Sequence, residues 1–163
     1  MIVVTGGAGF IGSAIVWKLN QLGKTNIIIV DELGKDEKWK NLVGLKYEDF
    51  VNKLEFIEQI LDDVIPYNVE AIIHMGANSS TTEKDADHLM DNNYNYTKEL
   101  AKFCVEKNVR FIYASSAATY GDGALGFDDD ESKIETLRPL NMYGYSKQLF
   151  DLWAKRNSIS DQI

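Results

Sequence analysis

The sequence holds a single cysteine, Cys104, so no disulfide can form within the chain and a tetrahedral thiolate metal site has no ligands to draw on. A reducing, cytoplasmic setting fits that usage. Cations are outnumbered, 17 Lys and Arg against 25 Asp and Glu, and the net charge of -8 excludes a surface built for nucleic acid or an anionic membrane, which needs clustered Lys and Arg. No apolar run is long enough to cross a bilayer, and strand-like Ile2-Val3-Val4 begins at once, without a basic leader or cleavage site. Internal repeats and low-complexity linkers are missing too. What is there is ordinary globular composition: 163 residues, 45% hydrophobic and 26% charged, enough for one domain with a core.

Short apolar runs alternate with stretches of helical period. Residues 2–5 read as a first strand, 10–22 as a helix closed by Gly23, and 26–31 as a second strand. A third strand is predicted over 45–49, then a helix over 54–65 with Pro66 just past its end. Residues 71–74 read as a buried strand, 89–107 as a long helix, 109–114 as a strand and 141–156 as the last helix, with Gln162-Ile163 entering a further strand. Strands joined by crossover helices predict an α/β fold: a Rossmann-type, doubly wound parallel sheet of five strands in the order 3-2-1-4-5.

Three motifs carry chemistry. Gly6-Gly7-Ala8-Gly9-Phe10-Ile11-Gly12 follows a strand and opens a helix. There Gly6 allows a tight turn, Gly9 lets the backbone approach a pyrophosphate, and Gly12 lets helix pack closely on strand. Asp31 ends the second strand about twenty residues later, where a carboxylate accepts hydrogen bonds from the adenosine ribose hydroxyls. The second motif is Tyr143-Gly144-Tyr145-Ser146-Lys147, with Tyr143 and Lys147 on one helical face. A phenol is a poor base at neutral pH, and a nearby ammonium favours its phenolate electrostatically. Ser116, within Ser115-Ser116-Ala117-Ala118-Thr119-Tyr120-Gly121, is set to hydrogen-bond a substrate oxygen and hold a carbinol between phenol and hydride acceptor. Together these motifs specify nicotinamide redox chemistry on an alcohol.

Other conspicuous residues read structurally. His74 at a strand end is a packed histidine, and His88 faces solvent at a helix start. Asp128-Asp129-Asp130-Glu131 is a solvated loop without metal-ligand spacing. Tyr94, Leu100, Ala101 and Cys104, with Leu149, Phe150 and Trp153, form core packing or a subunit-pairing face.

The glycine turn, the Ser-Ser segment and the Tyr-Lys helix resemble the extended short-chain dehydrogenase/reductase family of sugar-nucleotide epimerases and dehydratases, in which the GxxGxxG spacing of the turn is found. More narrowly, Ser79-Ser80-Thr81-Thr82-Glu83, Met90-Asp91-Asn92-Asn93-Tyr94 and the run from Leu140 through Lys147 are similar to the branch that acts on ADP-heptoses in lipopolysaccharide biosynthesis. The resemblance implies that residues 1–163 are a dinucleotide-binding Rossmann domain lacking the C-terminal substrate domain. It further implies tightly bound NADP, with NAD the alternative, a small-molecule nucleotide-sugar substrate, oxidation and re-reduction at C6 of the heptose, and a homo-oligomer. By the same resemblance Tyr143 is the general base/acid, Lys147 supports it and contacts the nicotinamide ribose, and Ser116 orients the substrate oxygen. Phe10 and Ile11 then lie at the pyrophosphate, with Asp31, Glu32, Lys38 and Lys53 around the adenosine end, Lys38 being the partner of a 2′-phosphate. Met75, Gly76, Ala77, Asn78, Ser79 and Asn92 border the cofactor.

Glu32 departs from what a 2′-phosphate wants, because two adjacent carboxylates repel it, and this keeps NAD in play. Ala117-Ala118-Thr119 lacks the Asp-Glu pair that dehydratases carry after a Thr, which favours epimerisation. The chain stops where the family continues into further strands, a second acid/base candidate and most of the sugar grip. Another NAD(P)-dependent sugar-nucleotide epimerase or dehydratase, an inactive fragment with an unpaired fifth strand, and a non-catalytic dinucleotide-binding module are the competing readings.

Overall fold

The computed structural model describes residues 1–159. Five short strands, β1 (Ile2–Thr5), β2 (Ile27–Asp31), β3 (Asp49–Asn52), β4 (Ala71–His74) and β5 (Arg110–Tyr113), form a parallel sheet in the order β3-β2-β1-β4-β5, the topology predicted from sequence. The chain divides into two compact units, one of Met1–Gly76 with Glu99–Tyr113, the other of Ala77–Lys98 with residues 114–159.

The first unit contains the sheet. Val3 stands opposite Ile28 and Ile72, and Val4 opposite Ile29 and Ile73. Every residue of β2 is buried, the reason it reads as one continuous apolar run rather than an alternating one. On one face Val4, Ile27 and Ile29 pack with Ala8, Leu42 and Val16 of helix α1 (Phe10–Gln21). Gly23 ends α1 as expected: it takes φ +76°, and the Lys24 N–H returns to the Leu19 carbonyl at 2.9 Å.

The third strand lies at Asp49–Asn52, not at 45–49. The chain joins the sheet only where the Glu48 N–H donates to the Ile27 carbonyl at 2.8 Å and Asp49 pairs with Ile28. Leu45 and Tyr47, the source of the strand-like run, pack against the core cluster from outside the ladder. Helix α2 (Lys53–Leu61) likewise stops before residue 65, because Asp63 turns to φ +54° and the Val64 N–H closes back on the Gln59 carbonyl. The long helix predicted over 89–107 starts earlier, as α3 (Ala86–Leu89) capped by Asp85, widens into a π-helical turn at Met90–Asn95 and resumes as α4 (Tyr96–Lys107). Leu100, Ala101 and Cys104 of α4 are core residues, and burial pushes the Cys104 thiol up to about 12.

The second unit is organised on α5 (Met142–Arg156), whose cap Asn141 accepts from the Gly144 N–H at 2.8 Å. Phe150 is buried within it, and Leu149 and Trp153 are half-buried. Two 3-10 turns, Ala117–Tyr120 and Glu131–Thr136, pack on this helix. The acidic run at 128–131 is exposed as predicted, with Asp128 paired to Lys133 and Asp130 capping the second turn. The strand entry read at Gln162-Ile163 lies outside the described residues. Among the described residues no helix is long and apolar enough to cross a membrane.

Candidate active site

The glycine turn of the first unit is a close approach of backbone to backbone. Gly6 has φ +65°, and a Cβ there would stand 2.7 Å from the Gly76 nitrogen. A Cβ on Gly12 would lie 2.1 Å from the Gly6 carbonyl oxygen. The Gly9 N–H closes the turn on that oxygen at 2.9 Å, and Gly9 then opens α1 with no side chain capping the helix. Phe10, at 89% exposure, and Ile11 follow in the open first turn. Uncapped N–H groups at the positive end of a helix dipole, on a cradle that admits no side chain, suit a pyrophosphate.

Asp31 does more than the sequence indicates. Its Oδ2 accepts the Ala8 N–H at 2.9 Å, while Oδ1 accepts the Glu32 N–H at 2.7 Å and the Lys38 ammonium at 2.8 Å. The carboxylate therefore fixes the glycine turn as well as presenting an acceptor beside it. Exposed Glu32 pairs with Lys53 at 2.7 Å, so the end of β2 carries two matched ion pairs, Asp31–Lys38 and Glu32–Lys53. After β4, Met75 donates to the Thr5 carbonyl and Gly76 to the Thr5 hydroxyl, both at 3.1 Å. That hydroxyl also meets buried His74 Nδ1 at 2.6 Å, and the imidazole stacks on Phe111, a packed strand-end histidine as read.

The second unit holds Ser116, Tyr143 and Lys147 together with Ala77, Asn78, exposed Ser79 and Asn92. The Ser116 hydroxyl accepts the Ala118 N–H at 3.2 Å and so caps the 3-10 turn that it begins. A Cβ on Gly144 would stand 2.6 Å from the Ala118 carbonyl oxygen. Only glycine there lets the Ser116 turn lie against the part of α5 that starts at Tyr143. Lys147 follows Tyr143 by one helical turn on the same face and is 4% exposed, its ammonium donating to the Ala114 carbonyl at 2.9 Å. Burial pushes Lys147 down to about 8, against the opposing pull of Asp151. About nine-tenths of the molecules still carry the charge at pH 7.

Beneath these groups lies Asn93, 1% exposed on the π-helical turn. Its Oδ1 accepts the Asn78 N–H at 2.9 Å and the Asn92 amide at 3.0 Å, while its Nδ2 donates to the Asn78 carbonyl at 2.9 Å and to the Ser146 hydroxyl at 3.0 Å. The Ser146 hydroxyl in turn donates a hydrogen bond to the Tyr143 carbonyl at 2.7 Å. Asn92, expected at the cofactor, thus has its amide turned onto this network. Sequence reasoning missed Asn93, Gly144 and Ser146 as site residues. A glycine inside a helical run is a signal of close backbone approach, but a buried asparagine at a π-turn leaves no periodic trace.

Lys147 costs stability. Because its folded value lies below the ordinary 10.5, the unfolded chain binds the extra proton between about pH 8 and 10.5. Stability therefore rises with pH across that window, and the cost of about 3 kcal/mol is fully present below it. Lys147→Met removes the buried charge and leaves the Ala114 carbonyl unpaired. The variant is expected to unfold about 1–2 kcal/mol less readily at pH 7, an advantage that shrinks above pH 8 in urea melts run across pH.

The model of the NAD dependent epimerase/dehydratase family matches residues 2–159. The ADP-L-glycero-D-manno-heptose-6-epimerase of Nitratidesulfovibrio vulgaris is 58% identical over 163 residues, all of this chain and 50% of that protein. Among solved structures, the ADP-L-glycero-D-manno-heptose-6-epimerase of Helicobacter pylori superposes with a TM-score of 0.80 at 26% identity, covering 96% of this chain and 50% of that one. The UDP-glucose 4-epimerase of Thermus thermophilus, in complex with NAD, gives a TM-score of 0.74 at 26% identity over 98% of this chain and 51% of its own. The chain spans about half the length of the curated relatives it matches. Its sheet order, its glycine turn and a family match running from Ile2 to Ile159 lead to one conclusion: the chain belongs to the NAD dependent epimerase/dehydratase family.

Proposed function

We propose that this chain is the dinucleotide-binding part of a nucleotide-sugar epimerase that oxidises and re-reduces C6 of an ADP-heptose. The observation that carries the reading is Lys147, a buried ammonium held on the Ala114 carbonyl one turn from Tyr143, at a net cost to the fold. A charge kept buried at a cost to the fold, one helical turn from Tyr143, marks the pair as a functional site.

The first unit supplies a fit for a dinucleotide, since the cradle that a Cβ would fill at Gly6 and Gly12 matches a pyrophosphate, and Asp31 and Lys38 stand at the adenosine end. Bound there, NADP or NAD would take a hydride from the carbinol carbon and later return it, so that no net oxidation results. In the forward half the Tyr143 oxygen accepts the carbinol O–H proton as the ketone forms; in the reverse half the same phenol returns it. Ser116 holds the oxygen that gains and loses the proton. Inversion follows when the ketone presents its other face before the hydride returns. The Ala117–Tyr120 turn offers no carboxylate to expel water, which separates this chemistry from that of a dehydratase. Supplying the full chain, loaded with NADP or NAD, with one C6 epimer of an ADP-heptose tests the reading: formation of the other epimer supports it, and a dinucleotide-loaded chain that forms none rejects it.

At the adenosine end we assign NADP, with NAD its competitor. A 2′-phosphate carries close to two negative charges and offers Lys38 and Lys53 a stronger partner than either has. Asp31 cannot yield, being buried on Ala8, but exposed Glu32 can. Glu32→Gln removes the repulsion and breaks the ion pair with Lys53, so the ratio of NADP to NAD affinity, read from titrations of both, is expected to rise about five- to tenfold. An unchanged ratio contradicts the assignment.

A further inference from the structure

We propose that Asp151 is a positioning residue which, through Ser115, clamps the Ser116 turn onto α5 and supplies the negative charge set against Lys147. Its catalytic meaning rests on the proposed function; its geometry does not.

Asp151 follows Lys147 by one helical turn, and its Oδ2 accepts the Ser115 hydroxyl at 2.6 Å. The Lys147 ammonium meanwhile donates to the carbonyl of Ala114 at 2.9 Å. Two consecutive residues before Ser116 are thus tied to two positions one turn apart on α5. A single tie would fix a distance and leave a hinge, whereas two parallel ties also fix direction, and Ser116 is the next residue along. The same carboxylate acts on the charge of Lys147: burial disfavours the ammonium and Asp151 opposes that effect. Other charged groups on elements that pack against α5 are engaged elsewhere. Asp91 accepts from Asn95, Lys133 pairs with Asp128, and Glu135 lies 3.7 Å from Lys155, while Asp87 and His88 are exposed on α3. On α5 itself Tyr143, Tyr145, Lys155 and Arg156 are the other titratable groups.

The test titrates Lys147 in the full chain carrying carbon-13 at the lysine ε position, with Lys147→Met identifying its resonance. Wild type is expected to titrate at about 8. In Asp151→Asn the amide oxygen still accepts from Ser115 but the charge is gone, and the midpoint is expected to fall by about one unit; Asp151→Glu restores it. Ser115→Ala keeps the charge and loses the tie, leaving the midpoint within about half a unit. In an active enzyme the alkaline limb of kcat moves down in step for Asp151→Asn, while Ser115→Ala lowers kcat without moving it. An unchanged midpoint in Asp151→Asn, or an equal fall in Ser115→Ala, overturns the proposal. A shifted midpoint in a chain inert toward every nucleotide sugar leaves the clamp standing and sinks the functional reading instead.

Discussion

Gly12→Ala is expected to cost the fold at least about 3 kcal/mol, a fall in melting temperature of roughly 10 °C for a chain of this size, and to abolish dinucleotide binding. The new methyl carbon would sit 2.1 Å from the Gly6 carbonyl oxygen, 2.7 Å from its carbon and 2.8 Å from the Gly7 Cα. All three are backbone atoms, so no rotamer change relieves the clash. Either α1 lifts away from the turn, releasing Val16 from its cluster with Val4, Ile27 and Ile29, or the turn opens and Gly9 loses its bond to Gly6. Gly23→Ala is the control. Unlike Gly12 it has a positive φ, +76°, and nothing stands within 4 Å of the added methyl. Its cost is the ordinary one for alanine in a left-handed conformation, about 1 kcal/mol, with binding kept. Calorimetry and dinucleotide titration on both variants check this; equal melting points would mean that Gly12 serves no close approach.

That contrast also shows what a sequence can and cannot disclose. The spacing of Gly6, Gly9 and Gly12 after a strand is readable because the backbone must pass near itself at fixed intervals, and sheet order follows from crossover helices between parallel strands. The third strand was not readable. Leu45 and Tyr47 are apolar for packing against the core cluster and not for joining the ladder, and apolarity alone does not distinguish the two. The π-helical turn at Met90–Asn95 hides within an unbroken helical pattern, and with it the position from which Asn93 reaches both Asn78 and Ser146. Tyr143 and Lys147 could be read as a pair from their spacing. That Lys147 is buried, and so costly, depends on α5 lying against residues before Ser116, a tertiary fact that local spacing does not encode.

Tyr143→Phe is expected to lower epimer interconversion about a thousandfold while changing dinucleotide affinity less than about twofold. The ring stays; what goes is the oxygen proposed to take the carbinol proton and give it back. Lys147 keeps its bond to Ala114 in this variant, since that bond does not pass through the phenol. The loss therefore falls on kcat and not on KM, the pattern left when an interaction made only in the transition state is removed.

Rapid mixing decides whether the Tyr143 oxygen carries the proton while a bound nicotinamide carries the hydride. Dinucleotide-loaded wild type and Tyr143→Phe are mixed at pH 7 with one C6 epimer of an ADP-heptose, and nicotinamide absorbance is followed. Wild type is expected to give a transient of reduced nicotinamide that decays as the two epimers equilibrate, and the variant none despite full loading. Transients of equal size and rate in both proteins would contradict that role of the Tyr143 oxygen.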